Sequence, residues 1–218
     1  MQAYKRKEDG VIFPWLRSNL TKNKTIIDIG ARKGNWYKQI AKFFPDETAH
    51  LFEPTPNIVA KTQITFRHKN NIKLHQIALS DQEGTLDFHI DLELGGWSGL
   101  TKQRNNGKYQ TIKVQVKTLD SFNFDNVGLI KIDVEGNELK TLRGAESTIK
   151  TSKPIVYFEC ADVHMINYDY GSRDIFKFFN ALDYNVLDLD LKVLNEDELA
   201  VHTASDSSFY HNFIAMPK

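Results

Sequence analysis

One cysteine, Cys160, among 218 residues leaves no partner for an intrachain disulfide and no thiolate cluster for zinc. A lone thiol is consistent with a reducing compartment. No apolar run is long enough to span a bilayer, and no charged-then-apolar leader opens the chain, so cytoplasmic residence without a membrane partner is the expectation. Excess charge is also missing. With 28 basic against 28 acidic side chains the net charge is zero, which provides no general attraction to nucleic acid, and nucleic acid is not expected as a partner. There is no repeat or low-complexity tract, and nothing announces an oligomeric state. What is present, 41% hydrophobic residues, suffices for one well-buried domain over 1–218, with the polar first ten residues as a loose arm and 25–160 as a cofactor-binding core.

Short β-rich runs alternate with helical spacing, as in parallel strands joined by crossover helices. Thr25 to Ile29, His50 to Glu53 and Ile72 to Ala78 read as strands, with helices over Gly34 to Phe44 and Pro56 to His68 between them. Thr85 to Ile90 and Thr111 to Lys117 alternate apolar and polar residues around a Gly- and Asn-rich segment, Gly95 to Gly107, which reads as an inserted antiparallel hairpin with a loop able to cover a site. The parallel pattern then resumes: a strand at Gly128 to Asp133, a helix from Asn137 to Lys150, and a strand at Pro154 to Glu159. Gly171 to Leu182 reads as helix, Asn185 to Asp190 as extended, and Phe209 to Met216 as a last strand. The expected fold is α/β, a Rossmann-like sheet with helices on both faces.

The most informative stretch is Thr25 to Gly34, an apolar strand entering a Gly-punctuated turn, followed about twenty residues later by Glu53 at the end of the next strand. The spacing Asp28-x-Gly30-x-x-x-Gly34 differs from the Gly-x-Gly-x-x-Gly that receives a pyrophosphate on a helix N-terminus, so a cofactor without phosphates fits better. S-adenosylmethionine is the expected one. Glu53 would accept hydrogen bonds from both ribose hydroxyls, or it is a surface carboxylate after a strand. The Gly turn would let backbone and ligand approach closely, or it is a plain loop. A dinucleotide-dependent reductase and a non-catalytic nucleoside binder of the same fold are the other readings.

The residues together resemble the FkbM-type family of S-adenosylmethionine-dependent O-methyltransferases. The resemblance rests on Asp28-Ile-Gly-Ala31 with Gly34, Phe52-Glu53-Pro54-x-Pro56, Ala78-Leu-Ser80-Asp81-x-Glu-Gly84, Lys131-Ile-Asp133-Val-Glu135-Gly-x-Glu138-Leu with Leu142 and Gly144-Ala145, and Phe158-Glu159. These follow the family's order across roughly residues 25 to 160. Arg32 departs from it, standing where the family usually has Asn, and this bears on the contacts to the cofactor's amino-acid end. The resemblance implies a class I methyltransferase with a seven-stranded sheet whose last strand enters antiparallel, and an acceptor hydroxyl on a sugar, a glycan or a natural product.

Asp28 and the backbone at Gly30 and Ala31 are then expected at the methionine end of the cofactor, unless Asp28 merely orients the turn, and Ala78, Ser80 and Asp81 at the adenine edge, unless they form an ordinary Ser-Asp turn; Gly34, Pro54 and Asp133 are counted with Glu53 among the cofactor contacts. The chemistry is an in-line displacement on a methyl group already activated by its sulfonium, so the protein has to place the acceptor and take its proton. Asp133 and Glu159 are the leading acceptor-facing carboxylates; Glu135 shares their pocket, and His164 is a general base or a loop residue without a task. Glu138 reads as a solvated helix residue out of acceptor contact. The oxygen-rich cluster permits a divalent metal, which is not counted among the cofactors. Trp97 and Ser98 in the Gly-rich loop, and Tyr168 after His164, are the candidate walls of the acceptor site.

Overall fold

The computed structural model describes residues 8–204 and 211–218. Phe209 and Tyr210, at the start of the expected last strand, and most of the expected loose arm lie outside the described residues. Glu8–Ile12 forms a π-helical turn that leads into α1, Phe13–Asn19.

The main sheet is built from β1 (Thr25–Ile29), β2 (Ala49–Phe52), β3 (Ile72–His75), β7 (Val127–Ile132), β8 (Ile155–Glu159), β9 (Tyr184–Leu187), β10 (Val193–Leu194) and β11 (Asn212–Pro217). Their order is β10-β9-β11-β8-β7-β1-β2-β3. The five strands from β8 to β3 run parallel, while β11 enters antiparallel between β8 and β9. The expected seven strands thus become eight, because the two-residue β10 folds back on β9 through a turn at Asp188–Leu191.

The expected third strand also divides. It ends at His75, and Ala78–Leu79 forms β4 of a separate three-stranded sheet, order β4-β6-β5, with β5 at Gly84–Asp91 and β6 at Tyr109–Lys117. β6 recruits β4 in parallel while pairing antiparallel with β5, so the inserted hairpin is anchored to the chain that leaves β3.

Helices cover both faces of the main sheet. α1, α2 (Asn35–Ile40) and the end of α3 (Pro56–Phe66) pack on one core with Ile26, Leu51, Leu129, Tyr157 and Ile214. The other face buries Ile27, Ile29, Ile130, Ile132 and Phe158 under α4 (Glu138–Arg143), α5 (Glu146–Ser152), α7 (Ser172–Ala181) and α8 (Glu196–Thr203). Strands apolar on both faces are what a sheet between two helical layers demands. A short helix, α6 (Asp162–Met165), follows β8. The helix expected from Asn137 to Lys150 breaks into α4 and α5 because Gly144 lies directly against the Ser80 carbonyl, tying the break to the chain leaving β4.

Candidate active site

Beyond the carboxyl ends of β1, β2 and β7 lies a crevice enclosing about 600 Å³ of empty space, open solvent included. Ile29, Gly30, Phe52, Glu53 and Pro54 form one side, Asp133, Val134, Glu135 and Asn137 another; Ala78, Leu79 and Phe88 come from the smaller sheet, and Gly95, Gly96 and Ser98 from the loop above. The position agrees with the rule that open α/β sheets bind ligands beyond the carboxyl ends of their strands.

Glu53 is buried, and both its oxygens are held by backbone amides: Thr55 N–H donates to Oε1 at 2.8 Å and Arg32 N–H to Oε2 at 3.1 Å. Burial raises its pKa, and these two amides and the Arg32 charge oppose the rise. A carboxylate oxygen accepts more than one hydrogen bond, so each retains capacity for a hydroxyl in the crevice. The pairing of β1 with β2 delivers this geometry, since Gly30 N–H and Ala31 N–H both donate to the Phe52 carbonyl at 3.0 Å.

Gly30 is required by the protein itself. Its φ is +73°, and a Cβ there would stand 1.8 Å from the Asp133 carbonyl, so the turn after β1 touches the end of β7. Gly34 has a different task from the expected cofactor contact: it does not line the crevice, and a Cβ there would strike the Phe66 ring at 2.5 Å. It lets α2 start against α3. Ala31 is buried and likewise off the crevice wall.

Asp28 is placed differently from the sequence expectation as well. It is fully buried off the crevice wall and forms an ion pair with Lys131 at 3.3 Å, although neither oxygen makes an aligned hydrogen bond. Asp28 and Lys131 are partners across the β1–β7 register, and Asp133, two residues on, shares the same ammonium at 3.3 Å. Burial raises the Asp28 pKa against the pull of Lys131. For Lys131, burial depresses the pKa but the charges of Asp133 and Asp28 outweigh it, so the net shift is upward and the ammonium is retained. Its Nζ also donates to the Ile29 and Gly30 carbonyls, at 3.3 and 3.0 Å. Lys131 therefore ties the first Gly turn to the acidic strand end. The sequence held a signal for it, a lysine between apolar residues of a central strand, two positions before Asp133.

Beyond β7 and β8 a second group gathers. His164 Nδ1 lies 3.3 Å from Glu159 Oε2, its hydrogen-bond partner, and 3.4 Å from Glu135 Oε2. Burial is the largest influence on His164 and lowers its pKa, but the bond to Glu159 and the charges of Glu159, Glu138 and Asp133 reverse the shift upward. Glu135 is pushed well up by burial, then by Glu159, Asp133 and Glu138. The Trp97 ring meets His164 edge-on at 5.0 Å between centroids, so Trp97 packs on the imidazole, while Ser98 is the loop residue on the crevice wall.

Glu138 overturns the solvated-face reading. It is buried, its Oε1 accepts from Val134 N–H at 3.0 Å and Gly136 N–H at 3.2 Å, and burial raises its pKa. The acidic loop 133–138 curls around its own glutamate. Tyr168 is not on the crevice wall; its ring packs on Tyr170 at 5.2 Å and lies beneath Lys140 Nζ. Ser80 and Asp81 also turn away, Ser80 Oγ donating to Asp81 at 3.2 Å, because β4 is drawn to β6. Ala78 remains on the wall.

The loop over the crevice is tied at several points. Asp91, buried at the end of β5, accepts from Glu93 N–H and Leu94 N–H at 2.8 Å and is bridged by Arg104 at 2.8 Å. Gln103 Nε2 donates to the Glu135 carbonyl and Asn167 Nδ2 to the Lys102 carbonyl. Gln103, Asn137 and Thr55 were absent from the sequence expectation. Each acts through backbone contacts that no spacing announces.

A sequence profile for the Methyltransferase FkbM domain matches residues 28–186. The chain is 27% identical over 154 residues to the 2-O-methyltransferase NoeI of Sinorhizobium fredii, covering 63% of each sequence. It is 24% identical over 144 residues to Methyltransferase 1 of Beauveria bassiana, covering 56% of this chain and 58% of that one. The matches thus span less than two thirds of these relatives' lengths. Among solved structures, Methyltransferase FkbM from Methylobacillus flagellatus superposes with a TM-score of 0.56 at 17% identity, over 89% of this chain and 43% of that one. SMU.1697c of Streptococcus mutans, a putative methyltransferase solved with SAH, gives 0.52 at 12% identity, over 94% and 93%. The fold is that of the Rossmann-like class I methyltransferases, and the matched profile covers most of the sheet and the crevice: the chain belongs to the FkbM methyltransferase family.

Proposed function

We propose that this chain is an S-adenosylmethionine-dependent O-methyltransferase acting on a hydroxyl of a sugar, glycan or natural product, within one methyltransferase domain in a reducing, cytoplasmic setting. The observation that carries the reading is Glu53: a carboxylate pinned by two backbone amides at the end of β2, on a crevice whose lining also includes the apolar Ile29, Phe52, Pro54 and Ala78. A ribose diol suits that carboxylate, and a flat base suits the apolar part of the wall. The name of the Sinorhizobium relative supports oxygen as the methylated atom.

When bound, S-adenosylmethionine supplies a methyl group already activated by a sulfonium. Glu53 would grip its ribose, and the backbone at Gly30 with Asp133 would meet its amino-acid end. Asp28 acts there only through Lys131, by neutralising one side of the ammonium that steadies Asp133. Glu159, Glu135 and His164 handle the acceptor: a hydroxyl delivered beneath Trp97 and Ser98 donates to the acidic pair, and its proton passes to the Glu159–His164 couple. The balanced charge of the chain suits a neutral acceptor.

The test is calorimetry with S-adenosylmethionine and with NAD, followed by transfer of a labelled methyl group to a panel of glycans. Binding of the first and not the second is expected. Glu53→Ala is expected to weaken cofactor binding at least about tenfold, the loss of a charge-assisted pair of hydrogen bonds. Glu159→Ala is expected mainly to remove turnover. Equal cofactor affinity in wild type and Glu53→Ala would overturn the ribose assignment.

A further inference from the structure

We infer that Glu135, Glu159 and His164 form a binding site for one first-row divalent cation, of the manganese or zinc type. One ligand atom from each residue lies within 4.8 Å of the other two, and all three side chains are largely shielded from solvent. The two separations from His164 Nδ1, 3.3 and 3.4 Å, match the roughly 3.0–3.4 Å spacing of neighbouring ligand atoms around an ion bonded at about 2.1 Å.

A second observation points to a ligand. His164 Nδ1 carries at most one proton, and its hydrogen bond goes to Glu159. Glu135 Oε2, directed at the same nitrogen, is shut off from solvent and has no hydrogen-bond partner. Beside it Gln103, only 7% exposed, donates its amide to the Glu135 carbonyl while its Oε1 is also without a partner. Orphaned buried acceptors are rare and call for a reason. A proton serves one of these oxygens at a time; a cation placed among them serves both carboxylates and the imidazole together.

The local charge balance agrees. Lys131 is already shared by Asp28 and Asp133, which leaves Arg32, the smallest of the influences on Glu135, to oppose the part-buried Glu135 and Glu159 and the buried Glu138. The donor set selects the ion. Two carboxylates with one imidazole suit manganese or zinc, whereas magnesium and calcium prefer oxygen donors throughout. Three protein ligands leave further positions for water or an acceptor oxygen, and Trp97 on the imidazole fixes the ring's tilt.

Cation binding does not depend on the methyl-transfer reading. Where both hold, the cation would take the place of the proton between His164 and Glu159 and would acidify a bound acceptor hydroxyl, whose proton would then pass to bulk water. The test uses the full chain without a polyhistidine tag, stripped with chelator, titrated with Mn²⁺ and followed by electron paramagnetic resonance at pH 7. One saturable equivalent, displaced by Zn²⁺ and poorly by Mg²⁺, is expected, with nitrogen modulation from a single coordinated imidazole in the spin-echo spectrum. Glu159→Gln and His164→Gln are each expected to weaken Mn²⁺ at least about tenfold, since even residues outside the coordination sphere cost that much. Absence of saturable binding, or bound Mn²⁺ without nitrogen modulation in the wild type, overturns the inference whether or not the variants fold. Calorimetry with S-adenosylmethionine on the same samples tests the functional reading separately.

Discussion

Lys131 is a buried cation at the carboxyl end of the sheet, with its ammonium 3.3 Å from both Asp28 and Asp133 and its stem in the central strand β7. Lys131→Met would leave Asp28 as an unpaired carboxylate in the core. Breaking a buried pair from one side costs about 3–5 kcal/mol, so a large fall in the urea midpoint is expected. Asp28→Asn combined with Lys131→Met should recover much of that loss, because no buried charge is then left alone. A double variant no more stable than Lys131→Met would show that the pair is not what the strand ends depend on. Consecutive strand ends converge, so Glu53, Asp133 and Glu135 meet at the crevice and Glu159 and His164 stand beside Glu135. Asp28, Gly34, Ser80 and Tyr168 stand off the crevice wall, because spacing along a chain does not say which face a residue takes.

At the scale of elements, the loop between β5 and β6 is a strap whose buckle is Asp91 with Arg104. Its backbone also joins β5 at Gly99, where His89 and Gly99 exchange hydrogen bonds at 2.8 and 3.1 Å. Arg104→Met keeps the stem but removes the bridge, and is expected to raise hydrogen exchange across residues 92–107. In the methyltransferase reading it should also raise the acceptor KM several-fold while cofactor affinity holds, because Glu53 is fixed by the Thr55 and Arg32 amides and not by Arg104. Unchanged exchange in that segment would mean that Gln103 and Asn167 suffice to hold it. The hairpin itself was readable from period-two alternation. Its capture of Ala78–Leu79, the break at Gly144 and the extra strand β10 were not, since each depends on a segment distant in sequence.

Across the whole molecule, two helical layers on a largely apolar sheet leave few titratable groups inside, and His50 with His75 is one such pair. Their rings stack at 5.1 Å beside Phe52, Phe122 and Phe124, with His50 Nδ1 and His75 Nε2 2.9 Å apart. Burial, then the neighbouring His75 and Lys73, lowers His50 to about 4; burial and Lys73 also lower His75. Both are neutral in the folded chain, while the unfolded chain takes up protons near pH 6.5. Their stabilising contribution is therefore complete above about pH 6.5 and is lost as pH falls toward 4. His50→Gln should flatten the dependence of the urea midpoint on pH between 7 and 4.5. Parallel curves for the two proteins would show that the pair does not control acid stability.

The sequence by itself determined the alternation of strand and helix, the Gly turn after β1, the acidic end of β2 and the convergence of Glu135, Glu159 and His164 near one crevice. Those features are local: hydrophobic period, turn chemistry and strand order are written in neighbouring residues. Only the tertiary structure decided that Asp28 answers to Lys131, that Glu138 is folded into its own loop, that Gly34 serves helix packing, and that Glu135 Oε2 stands without a partner. Such outcomes depend on cross-strand register and on which polar atoms are left over once the core closes, and neither is set until segments far apart in the chain have met.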